Sequence, residues 1–341
     1  MNPFSIAEFR EKKLPGESEI RSSWTSDQPL VSIVCTAFNH ERYIEDAIRG
    51  FLLQKTDFPF EIVIHDDAST DNTRRLIERY AVAYPELIKP VFQSVNQYRL
   101  GKKPIPLAVG YAKAPYIAIC EGDDFWTDDA KLQSQLDEMR KRPECGISFH
   151  AARVLHPGGE LTPVADYADQ LSIIPAETLI AADGAFCPTA SLVLKRTLFE
   201  QLPDWFYRSA PVGDYYYQVF GALSGGALYL PTAMAVYRCF TAGSWSSSLA
   251  RKDRNEIIAH AERTLGCLSE LDRCTGHRYS ASIDKAKARQ AFSVAVLFLK
   301  QKYLQDAFGF MKISWSLSRA LFVGQLCVLL KNRIRRAVFN R

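Results

Sequence analysis

The sequence lacks several features that would assign it to a class by themselves. Its eight cysteines include no Cys-x-x-Cys pair and no Cys/His spacing typical of zinc, so neither a zinc module nor a redox pair is indicated. Several cysteines lie in apolar runs, and we expect reduced thiols in a cytoplasmic compartment. No window reaches the roughly 18 uninterrupted apolar residues of a spanning helix. The first residues also lack the basic and apolar pattern of a signal peptide.

Charge and composition narrow the possible classes further. With 42 basic and 38 acidic residues the net charge is only +4, which gives no argument for a nucleic-acid partner. The contents of 47% hydrophobic and 23% charged residues are typical of a soluble globular protein and exclude wholesale disorder. A chain of 341 residues can hold one large domain or two modest ones.

The residue pattern divides the chain into three parts. Residues 1–28 are polar and predict a mobile or loosely packed leader. Residues 29–249 alternate strand-like and helix-like segments, which predicts an α/β domain whose mostly parallel sheet is covered by helices. Residues 250–341 predict helices to the end of the chain. In the middle part, strands are predicted at 30–35, 60–65, 87–92 and 116–120, with helices at 41–53 and 73–84.

Two pairs of neighbouring carboxylates, Asp66-Asp67 and Asp123-Asp124, each follow a predicted strand. In parallel sheets ligands bind at the carboxyl ends of the strands. Neighbouring carboxylates repel each other unless a cation or hydrogen-bond donors compensate, and such oxygen ligands suit Mg²⁺ or Mn²⁺. One pair alone fits a solvated turn or a helix cap. Two pairs at the edge where ligands bind favour a ligand site over solvated turns.

Segments of the chain resemble, in the right order, the motifs of glycosyltransferase family 2. They are the first strand with its loop, an Asp-Asp-x-Ser-Thr-Asp turn, a DXD-type metal motif, a catalytic-base motif and a closing loop, at residues 31–39, 62–71, 121–124, 212–215 and 237–246. The resemblance covers residues 29–247. It implies a GT-A fold, which is a Rossmann-like, mostly parallel sheet flanked by helices, here with a helical C-terminal extension. It also implies an inverting hexosyltransferase that uses a nucleotide-diphosphate sugar.

The resemblance implies a nucleotide site at the first two strands. Thr36 and Phe38 would border the base, and Asp67 would accept a hydrogen bond from it. A carboxylate matches the imide N–H of uracil, which favours a UDP-sugar. The residues themselves leave alternatives open, because Phe38 also fits a core aromatic, and Thr36 and Asp67 fit local turn capping.

The resemblance also implies a divalent cation, Mg²⁺ or Mn²⁺. Asp124 would ligate the cation, and Asp123 would hold the sugar or its ribose. The cation would stabilise charge on the departing nucleotide diphosphate as a Lewis acid. Arg99 and Lys102 belong to a basic loop that would contact the pyrophosphate, although a basic loop is more often only solvated.

By the same likeness, Asp214 is the general base that takes the proton of the acceptor hydroxyl. Its alternative role is that of a helix N-cap. The chain departs from the family's pattern at Phe240, where related enzymes often carry a His that serves as a metal ligand. This departure leaves the cation with one protein ligand fewer, or leaves Arg238 to contact phosphate.

Two other functions also fit parts of the sequence. A nucleotidyltransferase uses paired carboxylates too, but residues 36–40 after the first strand lack its Gly-rich basic signature. A non-catalytic protein that binds a nucleotide-sugar and keeps the fold would explain Phe240. The retained Asp124 and Asp214 argue against it.

The last residues, 326–341, mix apolar and basic side chains. Such a basic amphipathic helix fits contact with an anionic membrane, and it equally fits a helix packed on the domain with a solvated basic face. Membrane contact would suit a saccharide acceptor carried on a lipid, as in bacterial-type surface polysaccharide synthesis. The expected location is therefore cytoplasmic, with peripheral contact to the inner face of the cell membrane.

Overall fold

The computed structural model describes residues 4–239 and 253–339 of the chain. Phe240 and most of the predicted closing loop lie outside the described residues. The chain forms two compact units. The first contains Met1–Ala176, Gly184–Pro203 and Gly213–Ala242, and the second contains Glu177–Asp183, Asp204–Val212 and Gly243–Arg341.

The first unit is built on a mostly parallel sheet. Its strands are β1 (Val31–Ala37), β2 (Phe60–Asp66), β3 (Ile88–Phe92), β4 (Tyr116–Ile119), β5 (Phe125–Trp126), β6 (Ile147–Leu155), β7 (Leu161–Val164), β8 (Ser172–Ile174), β9 (Val193–Lys195) and β10 (Ala227–Arg238). Their order is β3-β2-β1-β4-β9-β6-β10-β5, with β7 beside β6 and β8 beside β10. β1 is parallel to β2 and β4, and β6 is parallel to β10. β9 joins these two parallel parts as an antiparallel strand between β4 and β6.

Some of the helices flank this sheet, and others make up the second unit. The helices are α1 (Ile6–Glu11), α2 (Glu17–Arg21), α3 (Ile44–Leu52), α4 (Thr73–Ala83), α5 (Pro104–Val109), α6 (Lys131–Lys141), α7 (Ala176–Ala181), α8 (Thr197–Gln201), α9 (Asp204–Ser209), α10 (Asp214–Ala222), α11 (Arg254–Cys274), α12 (Ser280–Lys300), α13 (Leu304–Leu317) and α14 (Arg319–Phe339). The predicted alternation of strands and helices is confirmed from β1 to α6, and so is the predicted α/β class with helices at the C-terminus.

The strand register brings the predicted site to one edge of the sheet. All seven residues of β2 and six of the seven in β1 are buried, as expected for strands covered on both faces. Ala37 at the end of β1 pairs with Asp66 at the end of β2, and Val34 pairs with Ile119 at the end of β4. The loops that follow these three parallel strands therefore open on the same side.

The first residues are packed on the domain, which corrects the expectation of a loosely packed leader. Phe9 in α1 is 1% exposed, and its ring centroid lies 5.1 Å from that of Phe125 in β5. Glu17 in α2 accepts hydrogen bonds from the backbone N–H groups of Glu86 and Leu87, which precede β3. Phe4 and Ile6 also pack against the cluster of Phe9 and Phe125, so a few apolar side chains within a mostly polar segment anchor α1.

The second unit contains the long C-terminal helices. α11 begins with a capping box, in which Asp253 and Glu256 each accept a hydrogen bond from the other's backbone N–H. Ile257 and Ala261 of α11 share a small core with Phe298 of α12 and Ala307 of α13. None of the helices in the described part of the chain is long and apolar enough to cross a membrane.

Close contact between α3 and β5 fixes the strand that follows Asp124. A Cβ atom added to Gly50 in α3 would lie 2.7 Å from the carbonyl oxygen of Trp126 and 2.9 Å from its backbone nitrogen. These contacts are with backbone atoms, so they are not relieved by a side-chain rotation.

We expect the substitution Gly50→Ala to lower the free energy of unfolding by about 1–3 kcal/mol, because the added methyl group overpacks against β5. Gly266→Ala in α11 is the matched control, since no atom lies within 4 Å of the added Cβ there. Alanine should leave that helix as stable or more stable. Chemical denaturation of both variants measures the difference. Equal unfolding midpoints would show that the contact between α3 and β5 is not restrictive.

Candidate active site

The loops after β1 and β2 are hydrogen-bonded to each other. The backbone N–H of Asn39 donates to Ser69 Oγ at 2.9 Å, and the backbone N–H of Thr70 donates to Asn39 Oδ1 at 2.8 Å. Ala68 has a φ of 63°, a left-handed conformation that costs a non-glycine residue about 1–2 kcal/mol. The chain accepts this strain where the family pattern has glycine. The two loops therefore form one fixed rim, which carries Phe38.

Asp67 is the centre of this rim. Its side chain is 3% exposed, and its two carboxylate oxygens accept the backbone N–H groups of Gln97 at 2.7 Å and Tyr98 at 3.0 Å. Its own N–H donates to the Ala37 carbonyl at 2.9 Å. Asp67 thus connects the end of β1 to the start of the basic loop.

The basic loop reaches the predicted base-binding aromatic. The guanidinium carbon of Arg99 lies 5.9 Å from the centroid of the Phe38 ring. The side chains of Arg99 and Lys102 are exposed, whereas Thr36 and Phe38 are partly buried. The structure therefore brings Thr36, Phe38, Asp67 and Arg99 together, and it places Lys102 on the same exposed loop.

The carboxylate loop follows β4 on the same edge of the sheet. The backbone N–H of Gly122 donates to the Thr36 carbonyl at 2.9 Å, and that of Asp124 donates to the Glu121 carbonyl at 3.0 Å. A Cβ at Gly122 would lie 2.9 Å from His40 Nδ1 and equally close to the end of the Ile44 side chain, so a larger residue would require these side chains to shift. The resulting turn leaves Asp123 partly exposed and Asp124 1% exposed.

Arg238 at the end of β10 is hydrogen-bonded to the carboxylate loop. Its backbone N–H donates to Asp124 Oδ1 at 2.9 Å, and its guanidinium Nη1 donates to the Asp123 carbonyl at 2.6 Å. Nη2 donates to Asp46 of α3, whose carboxylate also accepts two hydrogen bonds from Arg10 of α1, at 2.8 and 2.7 Å. The guanidinium carbon lies 4.4 Å from the centroid of the Phe125 ring. We refer to Arg10, Asp46 and Arg238 as the arginine clamp.

Asp214 begins α10 and belongs to the same acidic cluster. Its Oδ1 accepts the N–H of Tyr215 at 2.8 Å, and its carboxylate lies against Gly184, where an added Cβ would be 2.9 Å from Oδ2. Gln218 of α10 donates to the carbonyls of Gly184 at 2.8 Å and Cys187 at 3.0 Å. These bonds hold the segment that borders Asp214.

The carboxyl groups of this cluster influence one another's ionisation. Burial, together with the negative charges of Asp123 and Asp214, raises the pKa of Glu121 to about 8. Burial also raises the pKa of Asp124 well above its usual range, with added repulsion from Asp123 and Glu121, although the hydrogen bond from Arg238 opposes the shift. The acidic cluster of Glu121, Asp123, Asp124 and Asp214 is therefore short of positive charge.

Comparison with known proteins agrees with this geometry. A model of Glycosyl transferase family 2 matches residues 32–164. The chain is 35% identical over 261 residues to the uncharacterized protein Rv1520 of Mycobacterium tuberculosis. The matched region covers 74% of this chain and 71% of Rv1520. It is 34% identical over 180 residues to TuaG of Bacillus subtilis, named as a teichuronic acid biosynthesis glycosyltransferase, covering 53% of this chain and 68% of that one. The chain belongs to glycosyltransferase family 2.

Solved structures show the same fold for this family 2 chain. The mannosyltransferase PcManGT of Pyrobaculum calidifontis, in complex with GDP-Man and Mn²⁺, matches with a TM-score of 0.53 and 14% identity, over 95% of this chain and 86% of that one. Staphylococcus aureus TarS 1–349, in complex with UDP-GlcNAc, matches with a TM-score of 0.50 and 16% identity, over 84% and 90%. The expected GT-A fold is thereby confirmed. At these identities the likeness shows the fold alone.

The donor set of this glycosyltransferase fits a cation that is bound partly by substrate. In the described part of the chain, no group of three or more His, Cys, Asp or Glu side chains is arranged to hold a metal ion. Mg²⁺ in enzymes is usually bound by one or two carboxylates together with substrate phosphates, and it keeps several waters. Asp124 accepts the Arg238 N–H through Oδ1, and Asp123 precedes it in the same turn. The site therefore fits an open coordination sphere and does not fit a closed protein cage.

Sequence reasoning gave no role to three residues that border the site. Glu121 was included only within the motif at 121–124, and Asp46 was given no role within the helix predicted at 41–53. His40 packs against Gly122, and burial lowers its pKa, although Asp123, Asp71 and Asp66 raise it. The residues that surround His40 are distant from it in sequence. Its position directly after the first loop is therefore the one sequence signal that indicates a place near the site.

Removing the negative charge from the arginine clamp should destabilise the domain. Asp46→Asn leaves the buried Arg238 guanidinium without its counter-charge, and loss of one partner from a buried pair costs about 3–5 kcal/mol. The matched control is Asp204→Asn, which breaks the exposed pair with Arg208 in α9 and should change stability little. Urea unfolding measures both effects. If the two variants unfold alike, Arg238 does not depend on Asp46.

Proposed function

We propose that this chain is an inverting glycosyltransferase that moves a hexosyl group from a nucleotide-diphosphate donor, with a UDP-sugar favoured, to an acceptor hydroxyl. The observation that carries the proposal is the acidic cluster, in which Asp214 is close enough to Glu121 to raise its pKa. A base beside a cation-binding loop is the arrangement that single displacement at an anomeric carbon needs.

For the donor, we propose that Phe38 and Thr36 border the base and that Asp67 accepts its imide N–H. Each oxygen of Asp67 has one N–H bond from the basic loop, and a carboxylate oxygen has a second lone pair for the base. Arg99, which lies near the Phe38 ring, and Lys102 then carry positive charge toward the base and the pyrophosphate. PcManGT was solved with GDP-Man and TarS with UDP-GlcNAc, so the base must be tested directly.

For the cation, we propose that Asp124 ligates Mg²⁺ or Mn²⁺ and that Asp123 orients the sugar or the ribose. When bound, the cation supplies Lewis-acid stabilisation of the departing nucleotide diphosphate. In this proposal Arg238 holds the Asp123-Asp124 turn in place, and its buried, hydrogen-bonded guanidinium does not contact phosphate. This replaces the expectation that Arg238 binds the donor.

For the transfer step, we propose that Asp214 is the general base. The acceptor oxygen attacks the anomeric carbon on the face opposite the nucleotide. A C–O bond forms there as the bond to the diphosphate oxygen breaks, and the hydroxyl proton moves to Asp214. Donation from the Tyr215 N–H to Asp214 Oδ1 orients the carboxylate.

For the acceptor, we propose a saccharide or a lipid-linked saccharide in bacterial-type surface polysaccharide synthesis. The relatives named for such pathways include TuaG. The proposed location is the cytoplasmic side of the cell membrane, where residues 326–341 contact anionic lipid. This segment lies within α14 except for its last two residues and holds five Lys or Arg residues. Removing all residues after Gln325 should therefore weaken binding to anionic vesicles.

The metal role is tested by Asp124→Asn. Asparagine keeps the acceptor for the Arg238 N–H but removes the charge, so turnover should fall at least about a hundredfold while the fold remains intact. Asp27→Asn is a control at a fully exposed carboxylate. Turnover with a panel of nucleotide-sugars and Mn²⁺, measured beside the melting temperature, decides the outcome. Turnover near that of the unaltered protein would remove Asp124 from the cation site.

The base is tested by Asp214→Asn. Transfer should fall by about 10²–10⁴-fold, while affinity for the donor changes little, because the group acts on the acceptor in the transition state. Asp204→Asn, at the first residue of α9, controls for loss of a helix-terminal charge. Calorimetric titration with the donor separates the two effects, and the anomeric configuration of the product, read by NMR, tests inversion. A loss of donor affinity as large as the loss of rate would instead assign Asp214 to the donor pocket.

Donor binding without transfer in the unaltered protein, across donors and acceptors, would favour the non-catalytic alternative. Phe240, the sequence feature behind that alternative, lies outside the described residues.

A further inference from the structure

Helix α13 exposes an apolar stripe that its own unit covers only in part, where the Phe322 ring centroid of α14 lies 5.5 Å from that of Trp315. Leu304, Phe308, Met311 and Trp315 recur at i, i+4, i+7 and i+11 and so lie along one face of the helix. Leu304 is 67% exposed, Phe308 61% and Trp315 44%. At a rise of 1.5 Å per residue the stripe is about 16 Å long.

The orientation of α13 is fixed by its other face. Ala307 is buried in the small core with α11 and α12, and the Phe310 ring centroid lies 5.8 Å from that of Phe298. Asp306 receives two hydrogen bonds from Arg254 of α11, both at 2.7 Å. The helix therefore has no second arrangement in which the stripe is buried against these partners. Apolar groups on both faces are unusual for a surface helix of a soluble domain.

Positive charge accompanies the stripe. The Lys312 ammonium lies 4.6 Å from the Phe308 ring centroid, and the Arg319 guanidinium carbon lies 5.6 Å from that of Trp315. From residue 307 to residue 341 the chain has seven basic residues and no acidic one. Aromatic rings flanked by Lys and Arg are typical of helices that lie at a membrane–water interface.

The positive charge beside the stripe favours one kind of binding partner for this surface. A second copy of the chain would bring an equally basic face against it, and like charges across an interface are unfavourable. A neutral apolar partner would explain the stripe but not a run of charge of a single sign. An anionic phospholipid surface complements both features. Val323, Val328 and Leu330 are further apolar residues that are exposed on α14.

We propose that the Leu304–Trp315 stripe of α13 is an interfacial docking face for anionic phospholipid, with Phe308 and Trp315 inserted among the headgroups. The inference deepens the membrane contact of the proposed function and is independent of the transfer chemistry. The stripe supplies an apolar, salt-resistant part of binding, and the tail after Gln325 supplies a mainly electrostatic, salt-sensitive part.

The test uses the full chain and vesicles of equal parts phosphatidylglycerol and phosphatidylcholine, with phosphatidylcholine vesicles for comparison. Phe308→Asp should weaken binding to the anionic vesicles at least about tenfold, because it places a charge at the point of insertion. Lys312→Gln should weaken it about fivefold at low salt. Val82→Asp in α4 is the matched control, since Val82 is an apolar residue that is 83% exposed on the other unit. It should leave binding unchanged.

Two further measurements distinguish the stripe from the tail and from self-association. Brominated lipid should quench tryptophan fluorescence of the full chain but not of Trp315→Phe. A chain ending at Gln325 should retain the binding that survives high salt, and Phe308→Asp should lose it.

Vesicle binding by Phe308→Asp equal to that of the unaltered protein would overturn the proposal, as would no binding by the full chain. A change from dimer to monomer in Phe308→Asp, without a change in vesicle binding, would assign the face to a second copy. Turnover with a water-soluble acceptor keeps the two proposals separate. It should be normal in Phe308→Asp, and an inactive unaltered protein that still binds vesicles would reject only the proposed transfer.

Discussion

The acidic cluster depends on one buried positive charge. Carboxyl groups gathered in a low-dielectric environment repel one another, and each is costly to ionise. The Arg238 guanidinium lies beneath Asp123 and Asp124, and its backbone N–H binds the Asp124 carboxylate. Without this charge the turn after β4 would either take up protons or open. The arginine is itself acceptable in the interior only because Asp46 neutralises it.

The arginine clamp joins parts of the chain that are far apart in sequence. Arg10 and Asp46 are separated by 36 positions, and Asp46 and Arg238 by 192. The first helix, the helix after β1 and the last strand of the sheet therefore meet under the carboxylate loop. This explains why α1 is packed on the domain despite its polar sequence. It also ties the geometry of the site to the integrity of the whole first unit.

Local patterns were enough to predict the sheet edge and its carboxylates. Buried runs such as those of β1 and β2 read directly as parallel strands, and their acidic ends follow from the topology. Asp214 had no such local signal, because an aspartate at a helix start is commonly a cap, and only the family motif singled it out. Arg238 was found by motif but given a different role. The clamp partners and the close approach at Gly122 depend on tertiary contacts that no local pattern encodes.

The acidic cluster and the basic face of α13 and α14 lie in different parts of the chain. This separation is compatible with a soluble donor and a lipid-linked acceptor. The acidic cluster would be repelled by an anionic membrane surface, within a screening length of about 8 Å at physiological salt. In the proposed reaction, a cation and an incoming diphosphate would change the local charge of that cluster only while donor is bound. In the proposed membrane contact, the basic, apolar face of α13 and α14 would attract the same surface whether or not donor is bound. Membrane attachment and donor binding can therefore be governed by separate charges, so that loss of donor would not release the enzyme from its acceptor.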